Sequence, residues 1–396
     1  MKLIERTYYL QKLFDSVGTP DIKVITGIRR CGKSKLLEAF ISKLETRREG
    51  INVIHINFNQ TEYENLMEYH SLENYVKSRY KDSCDNFLCI DEVQMCQGFE
   101  KAINSLYDSG RFDIYITGSN AFLLSSDLAT LFTGRTFAIE VYPFSFKEYL
   151  QYYGRTDVLD AFDDYAKEGG MAGSFLYGKE EDKYRYIADI FNTLVLRDIS
   201  SKYKIRNRVL LDNICDFLID NQSNTTSLRS LSDSISTNKQ QTNDRTVGTY
   251  VKYLCNAFAF YKVRRYDIRG RKYLASQDKY YLADHSFKYA KLGTRNMDFG
   301  RCYENIVAIE LLRRGYELYV GALYKKEVDF VAIRQNEKIY IQVCDDISRD
   351  ETFKREILPL LHIADAYPKI IIARTRHEAY CYEGVWIFDI SNWLIK

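Results

Sequence analysis

Residues 27–34, Gly27-Ile28-Arg29-Arg30-Cys31-Gly32-Lys33-Ser34, carry the residue types and spacing most suited to chemistry in this chain. The pattern is G-x-x-x-x-G-K-S, preceded by the apolar stretch Val24-Ile25 and followed by a helix-like run, which is the P-loop arrangement. Gly27 and Gly32 let the backbone turn and approach phosphate oxygens. The loop N–H groups and the N-terminus of the next helix then face the anion. Lys33 is placed to reach β- and γ-phosphates, and the Ser34 hydroxyl to ligate Mg²⁺. A second segment, Asn86-Phe87-Leu88-Cys89-Ile90-Asp91-Glu92, is an apolar run ending in two carboxylates. Buried parallel strands read this way, and open α/β sheets bind ligands at the carboxyl ends of their strands. Asp91 is therefore expected to hold Mg²⁺ with Ser34, directly or through water. Glu92 is expected to orient or deprotonate the attacking water. The nucleotide-binding set predicted from these two segments is Gly27, Arg30, Cys31, Gly32, Lys33, Ser34, Lys35 and Asp91, with ATP and Mg²⁺ as cofactors and phosphoanhydride hydrolysis as the reaction.

The flanking pattern must position these groups. Helices are predicted over Glu5–Phe14, Lys33–Thr46, Tyr69–Tyr80 and Glu100–Ser109. Strands are predicted at the P-loop, at Val53–Phe58, before Asp91, and at Asp113–Asn120, the last ending in small polar residues. Such alternation implies a parallel sheet covered on both faces. The last of these strands runs into Gly118, Ser119 and Asn120. If it neighbours the Asp91 strand, Ser119 or Asn120 would sense the γ-phosphate or hold the water, a helix N-cap being the other reading of either residue.

A chain of 396 residues implies two or three domains. Lys and Arg number 56 against 54 Asp and Glu, so any basic surface must be local. No apolar run reaches the ~18–20 residues that span a bilayer, and the N-terminal residues lack the apolar core of a signal peptide. The nine cysteines contain no C-x-x-C pair, which argues against a zinc site or a disulfide framework. The expected location is the cytoplasm.

Further short motifs follow the P-loop in order: Ile90-Asp91-Glu92-Val93-Gln94, Ile116-Thr117-Gly118-Ser119-Asn120, Thr133-Gly134-Arg135, Tyr142-Pro143-Phe144-Ser145-Phe146-Lys147-Glu148-Tyr149, Gly169-Gly170-Met171 and Val195-Leu196-Arg197-Asp198-Ile199. The series resembles the widespread bacterial and archaeal AAA-family ATPases whose C-terminal half is a domain of unknown function. That resemblance implies an α/β chain: a P-loop NTPase sheet with a helical lid over residues 1–200, a winged helix-turn-helix over 201–290, and a restriction-endonuclease-like domain of the PD-(D/E)xK type over 291–396. It also implies a homo-oligomer. Arg135 is expected to act on the γ-phosphate as an arginine finger, in cis or from a neighbouring subunit, with Arg197 the other candidate. A surface ion pair is the alternative for each.

Helices predicted over Asn207–Ile219, Leu228–Ile235 and Asp244–Phe258 precede a hairpin turning at Gly270, a winged-helix order. Its wing, Lys262 to Lys272, carries Lys262, Arg264, Arg265, Arg269, Arg271 and Lys272 against Asp267. The helix before it offers Asn243, Arg245, Thr246, Thr249 and Lys252. Phosphate contacts from such a wing and polar groups on such a helix suit DNA, whereas a packing module is the plainer reading. Beyond Gly315, two strands, Glu327–Ile333 and Lys338–Cys344, pair. Under the nuclease resemblance Glu304, Asp329, Gln342 and Cys344 occupy the site positions. Gln342 is neutral and Cys344 stands in place of a lysine, so cleavage is expected to be inefficient, with Asp345 and Asp346 near enough to compensate in part. Lys354, Arg355 and Glu356 are expected on the surface. Three functions fit: an ATPase coupled to DNA, a slow NTPase switch for a protein partner, or an ATP-dependent nuclease.

Overall fold

The computed structural model describes residues 4–118, 131–132, 134–236, 242–270, 272–293, 298–324 and 326–396. Ser119, Asn120 and Arg271 lie outside that set. The chain divides into two compact units, Leu3–Val141 and Tyr142–Lys396.

In the first unit β1 (Ile22–Thr26), β2 (Ile51–Asn57), β3 (Asp85–Asp91), β4 (Asp113–Thr117) and β5 (Thr136–Glu140) form one sheet in the order β2-β3-β4-β1-β5. Every neighbouring pair is parallel. The pattern of residues explains the arrangement. β1 is buried along its whole length, as a central parallel strand must be. Ile22 and Val24 join Ile54, Ile56, Leu88, Ile90, Ile114 and Ile116 in a core closed by Leu72, Val76, Ile103 and Leu106 from the helices Tyr69–Ser78 and Phe99–Asp108. The alternate residue Lys23 is fully buried, and its ammonium donates to the Thr19 carbonyl and the Asp113 carboxylate, each at 2.6 Å. A buried charge is tolerated when paired in this way, and the pair ties β1 to β4 at the amino-terminal edge of the sheet. The parallel sense then delivers Thr26, Asp91 and Thr117 to the opposite, carboxyl-terminal edge. This is the architecture of the P-loop NTPases.

The second unit holds an eight-stranded sheet, with β6 (Phe260–Asp267), β7 (Lys272–Leu282), β8 (Glu317–Leu323), β9 (Lys326–Arg334), β10 (Glu337–Cys344), β11 (Lys369–Ala373), β12 (Tyr380–Tyr382) and β13 (Val385–Asp389) in the order β12-β13-β11-β10-β9-β8-β6-β7. The helices Arg208–Asp220, Leu228–Ile235 and Asp244–Asn256 precede the β6–β7 hairpin, the winged-helix order expected. The hairpin is not self-contained, however. The edge of β6 facing away from β7 pairs in parallel with β8, Arg264 opposite Tyr319, because a strand with one unpaired edge exposes backbone donors and acceptors that a neighbour can satisfy. The first compact unit stops at Val141, and the hairpin shares its sheet with the strands that follow residue 290.

Two sequence motifs have a packing explanation within the second unit. Ser145 and Glu148 form a reciprocal capping box that starts the helix Phe146–Tyr153. Gly170 runs against Phe144, its carbonyl accepting from Phe144 N–H at 2.8 Å and its own N–H donating to Asp284 at 2.7 Å. A Cβ there would meet the Phe144 carbonyl oxygen at 2.3 Å.

Candidate nucleotide site

The P-loop joins β1 to the helix Lys33–Arg47. Gly27, Arg30 and Gly32 all have positive φ, at 135°, 66° and 100°. Arg30 is exposed and holds a conformation uncommon outside glycine, the kind of strain that collects at functional loops. A Cβ on Gly27 would lie 2.1 Å from the Val141 carbonyl oxygen, so only glycine fits. Gly32 is the helix N-cap and makes no side-chain cap bond. The first-turn N–H groups are thus left to face whatever the loop encloses.

Lys33 is buried, and its ammonium donates to the carbonyls of Gly27 at 2.9 Å and Ile28 at 3.1 Å. Among the described residues it has no carboxylate partner, which sets it apart from Lys23. Ser34 is half-buried at the first turn, while Lys35 is exposed and pairs with Glu38 at 2.6 Å, so its side chain points away from the loop. Cys31 is buried, and burial pushes its thiol up. Its role is packing beneath the loop, its Sγ lying 3.1 Å from a Gly27 Cβ position.

Asp91 ends β3 next to β4, whose Ile116 stands opposite Ile90. Its Oδ1 accepts a hydrogen bond from Thr117 Oγ1, and its Oδ2 is buried with no hydrogen-bond partner among the described residues. Glu92 follows in the left-handed region, φ 57°, with its N–H donating to the same Thr117 hydroxyl oxygen at 3.2 Å and its carboxylate accepting from Gln94. Thr117 therefore positions both acids. Ser119 and Asn120, proposed for that neighbourhood, fall outside the described residues.

Arg6 is a second group that its own sequence context does not mark. It is buried, its Nη1 donates to the Cys31 carbonyl at 2.9 Å, and its guanidinium lies 4.5 Å from the centre of the Tyr9 ring. In a trans peptide the C=O and N–H point in opposite directions. Holding the Cys31 oxygen on one side turns the Gly32 N–H to the other.

Arg135 lies at the end of β1 away from the loop. Its carbonyl accepts from Ile22 N–H at 2.9 Å, so it enters β5 beside the start of β1. The loop leaves the other end of β1, a strand length of roughly 15 Å at ~3.3 Å per residue. The Arg135 guanidinium pairs with Asp108 at 2.7 Å. It does not serve the P-loop of its own chain. Arg197 lies in the second unit, in a π-helical turn, and pairs with Asp198.

The second unit gathers some of the predicted nuclease-like positions and disperses others. Glu304, Asp329 and Gln342 are buried together. Glu356, expected on the surface, is buried and accepts from Gln342 Nε2 at 2.8 Å. Cys344 is buried, its thiol pushed up by burial. Asp345 and Asp346 are exposed turn residues, Asp346 accepting from Ser348, and they take no part in the cluster.

The loop, the sheet and the two strand-end acids define an AAA-type P-loop domain, and the family described as AAA domain matches residues 19–150. A domain of unknown function, DUF8612, matches residues 159–298. The chain is 35% identical over 402 residues to an uncharacterized protein of Haemophilus influenzae, spanning 100% of this chain and 99% of that one, and it belongs to the same family. It is also 28% identical over 352 residues to the uncharacterized protein MJ1544 of Methanocaldococcus jannaschii, covering 85% and 77% of the two chains. Among solved structures, the ORC1 protein of Aeropyrum pernix in complex with DNA overlaps 73% of this chain and 92% of its own at 12% identity, with a TM-score of 0.32. No helix among the described residues is long and apolar enough to cross a membrane.

Replacing Thr117 by Val keeps the shape and removes the hydroxyl that serves Asp91 and Glu92. Leaving buried polar groups unsatisfied costs ~1–3 kcal/mol each, so urea unfolding of Thr117→Val is expected to show a stability loss of that order. Unchanged stability would mean that the hydroxyl does not tie the two acids.

Proposed function

We propose that this chain is a Mg²⁺-dependent ATPase whose site lies between the P-loop and the carboxyl ends of β3 and β4. The observation that carries the reading is a pair of unanswered groups. Lys33 is a buried ammonium bonded only to carbonyls among the described residues, and Asp91 Oδ2 is a buried carboxylate oxygen without a partner there. A triphosphate answers the first and a divalent cation the second. Both groups fit Mg·ATP, since hard oxygen donors suit Mg²⁺ and a lysine in a glycine loop suits phosphate.

In this reading Ser34 and Asp91 hold Mg²⁺, which when bound neutralises charge on the phosphate oxygens. The loop N–H groups of residues 30–35 and the helix N-terminus cradle the phosphates, with the Gly32 N–H aimed by Arg6. Lys33 exchanges its carbonyl partners for phosphate oxygens. Glu92 leaves Gln94, orients a water and takes its proton, and Thr117 keeps the Glu92 backbone in place. Asn120 remains a proposed sensor of the γ-phosphate. Arg135 completes a site only toward a second copy of the chain, which is where the homo-oligomer implied by the resemblance would enter.

We further propose that the partner of the second unit is duplex DNA rather than a protein. On the helix Asp244–Asn256, Arg245, Thr249 and Lys252 are exposed at spacings of four and three residues and so share one face. Arg264 is exposed on the adjoining hairpin. Part of the wing's charge is engaged locally, Lys262 with Asp278 at 2.7 Å, Arg265 with Gln277 at 3.1 Å, and Arg269 with Tyr324. Asn243 caps the helix, accepting from Thr246 N–H at 2.9 Å, and is unsuited to base contacts. The helix face carries the reading more than the wing does.

Lys33→Ala is expected to abolish tight ATP binding in equilibrium titration, whereas Glu92→Gln keeps binding and loses turnover. A Glu92→Gln protein that hydrolyses ATP at the wild-type rate would remove Glu92 from its role. For DNA, the Arg245→Ala, Lys252→Ala double variant should bind duplex more weakly and with a shallower salt dependence, the log–log slope falling by roughly 0.9 for each phosphate that is no longer neutralised. An unchanged slope would place the DNA interface elsewhere or discard it.

A further inference from the structure

The nuclease resemblance of the second unit implies a divalent metal held by Glu304 and Asp329, and the residues present do not fit one. Where a metal would sit among the acids there is already a cation. Lys279, on β7, is buried, and its ammonium lies 2.8 Å from Glu304 Oε1, 2.8 Å from Glu327 Oε1 and 3.5 Å from Asp329 Oδ1. Two further donors meet these acids. Tyr281 donates to Glu304 Oε1 at 2.6 Å, and the Val343 N–H donates to Asp329 Oδ2 at 2.8 Å. Gln342 spans the cluster, its Oε1 accepting from Asp329 N–H at 3.3 Å while its Nε2 donates to Glu356 at 2.8 Å. Among the described residues no group of His, Cys, Asp or Glu is arranged to hold a metal ion.

We infer that Lys279 is the resident cation of this carboxylate pocket, tethered where a metal ion would otherwise bind, so that the pocket takes no divalent metal while the lysine is in place. Several physical points support this. An ammonium buried with Glu304 and Asp329, and met from the half-buried side by Glu327, repays desolvation only if it is held closely, and the distances are those of direct ion pairs. A tethered ammonium also links β7 to β9 and to the helix Phe299–Arg313, so the hairpin and the later strands are held by the same charge that closes the pocket. The lysine absent from position 344 is thus not simply lost, for a lysine from another strand meets the same acids in a different role. Its ammonium pairs with Glu304 and Glu327 and faces Asp329.

The test uses the full-length, nucleotide-free protein with MnCl₂ as the probe, following free Mn²⁺ by electron paramagnetic resonance. Asp329→Asn serves as the site control. Wild type is expected to show no Mn²⁺ binding that Asp329→Asn abolishes. Lys279→Met, which keeps the stem and removes the charge, is expected to gain a tight Mn²⁺ site that Lys279→Met, Asp329→Asn lacks. Should Lys279→Met fold poorly in chelator, the proposal requires MnCl₂ to restore its circular dichroism and raise its melting temperature, since a ligand bound only by the native state stabilises it. Asp329-dependent Mn²⁺ binding by wild type overturns the inference. So does a Lys279→Met protein, folded or not, that neither binds Mn²⁺ nor is restored by it.

Discussion

A buried ammonium must be answered by charge or by dipoles, and much of this structure follows from how three lysines are answered. Lys23 has one carboxylate and one carbonyl, and the pair fixes the central strand of the first sheet to its neighbour. Lys279 has three carboxylates and is saturated. Lys33 has two carbonyls alone among the described residues. Desolvating an ion costs several kcal/mol unless it is compensated, so Lys33 is the one of the three positioned to gain most from an incoming anion. The same contrast separates the two acid clusters. Around Lys279 the carboxylates face an ammonium, whereas at the P-loop edge Asp91 Oδ2 has no partner among the described residues.

The parallel sheet converts that contrast into a site. Because all its neighbouring strands run in one direction, the ends of β1, β3 and β4 meet at one edge, and loop amides, two acids and a threonine hydroxyl are brought together although they are far apart in sequence. This geometry needs no motion of the sheet. In the proposed reading the change on binding is local: Lys33 would give up its carbonyls and Glu92 would give up Gln94.

Much of this could be read from residue order. β1, β3 and β4 are apolar runs with polar ends, and the P-loop spacing declares its own backbone. The helices over 228–235 and 244–256 were legible but their caps were not: Ser227 and Asn243 each accept from the N–H three residues on, and Asp244 lies inside the helix. What escaped reading were pairings between distant residues. Arg6 meets Cys31 across 25 positions, and Lys279 meets Glu304 across another 25. Local spacing encodes neither. The partner of β6 escaped for a related reason, since β8 begins about fifty residues later and nothing in the hairpin's alternation says that its free edge is covered. Arg135 is different: a residue that precedes a strand parallel to β1 must lie at the edge opposite the loop, so its position followed from the sheet once the strand direction was known.

The central claim is that Asp91 and the P-loop together hold a metal-bound triphosphate. The most direct measurement is the equilibrium affinity for a non-hydrolysable ATP analogue with and without Mg²⁺, in wild type and in Asp91→Asn. The account predicts that Mg²⁺ strengthens binding to wild type and does little for Asp91→Asn, because the carboxylate oxygen without a partner among the described residues is what the cation would meet. Equal responses to Mg²⁺ in the two proteins, or no binding of the analogue to wild type, would contradict it.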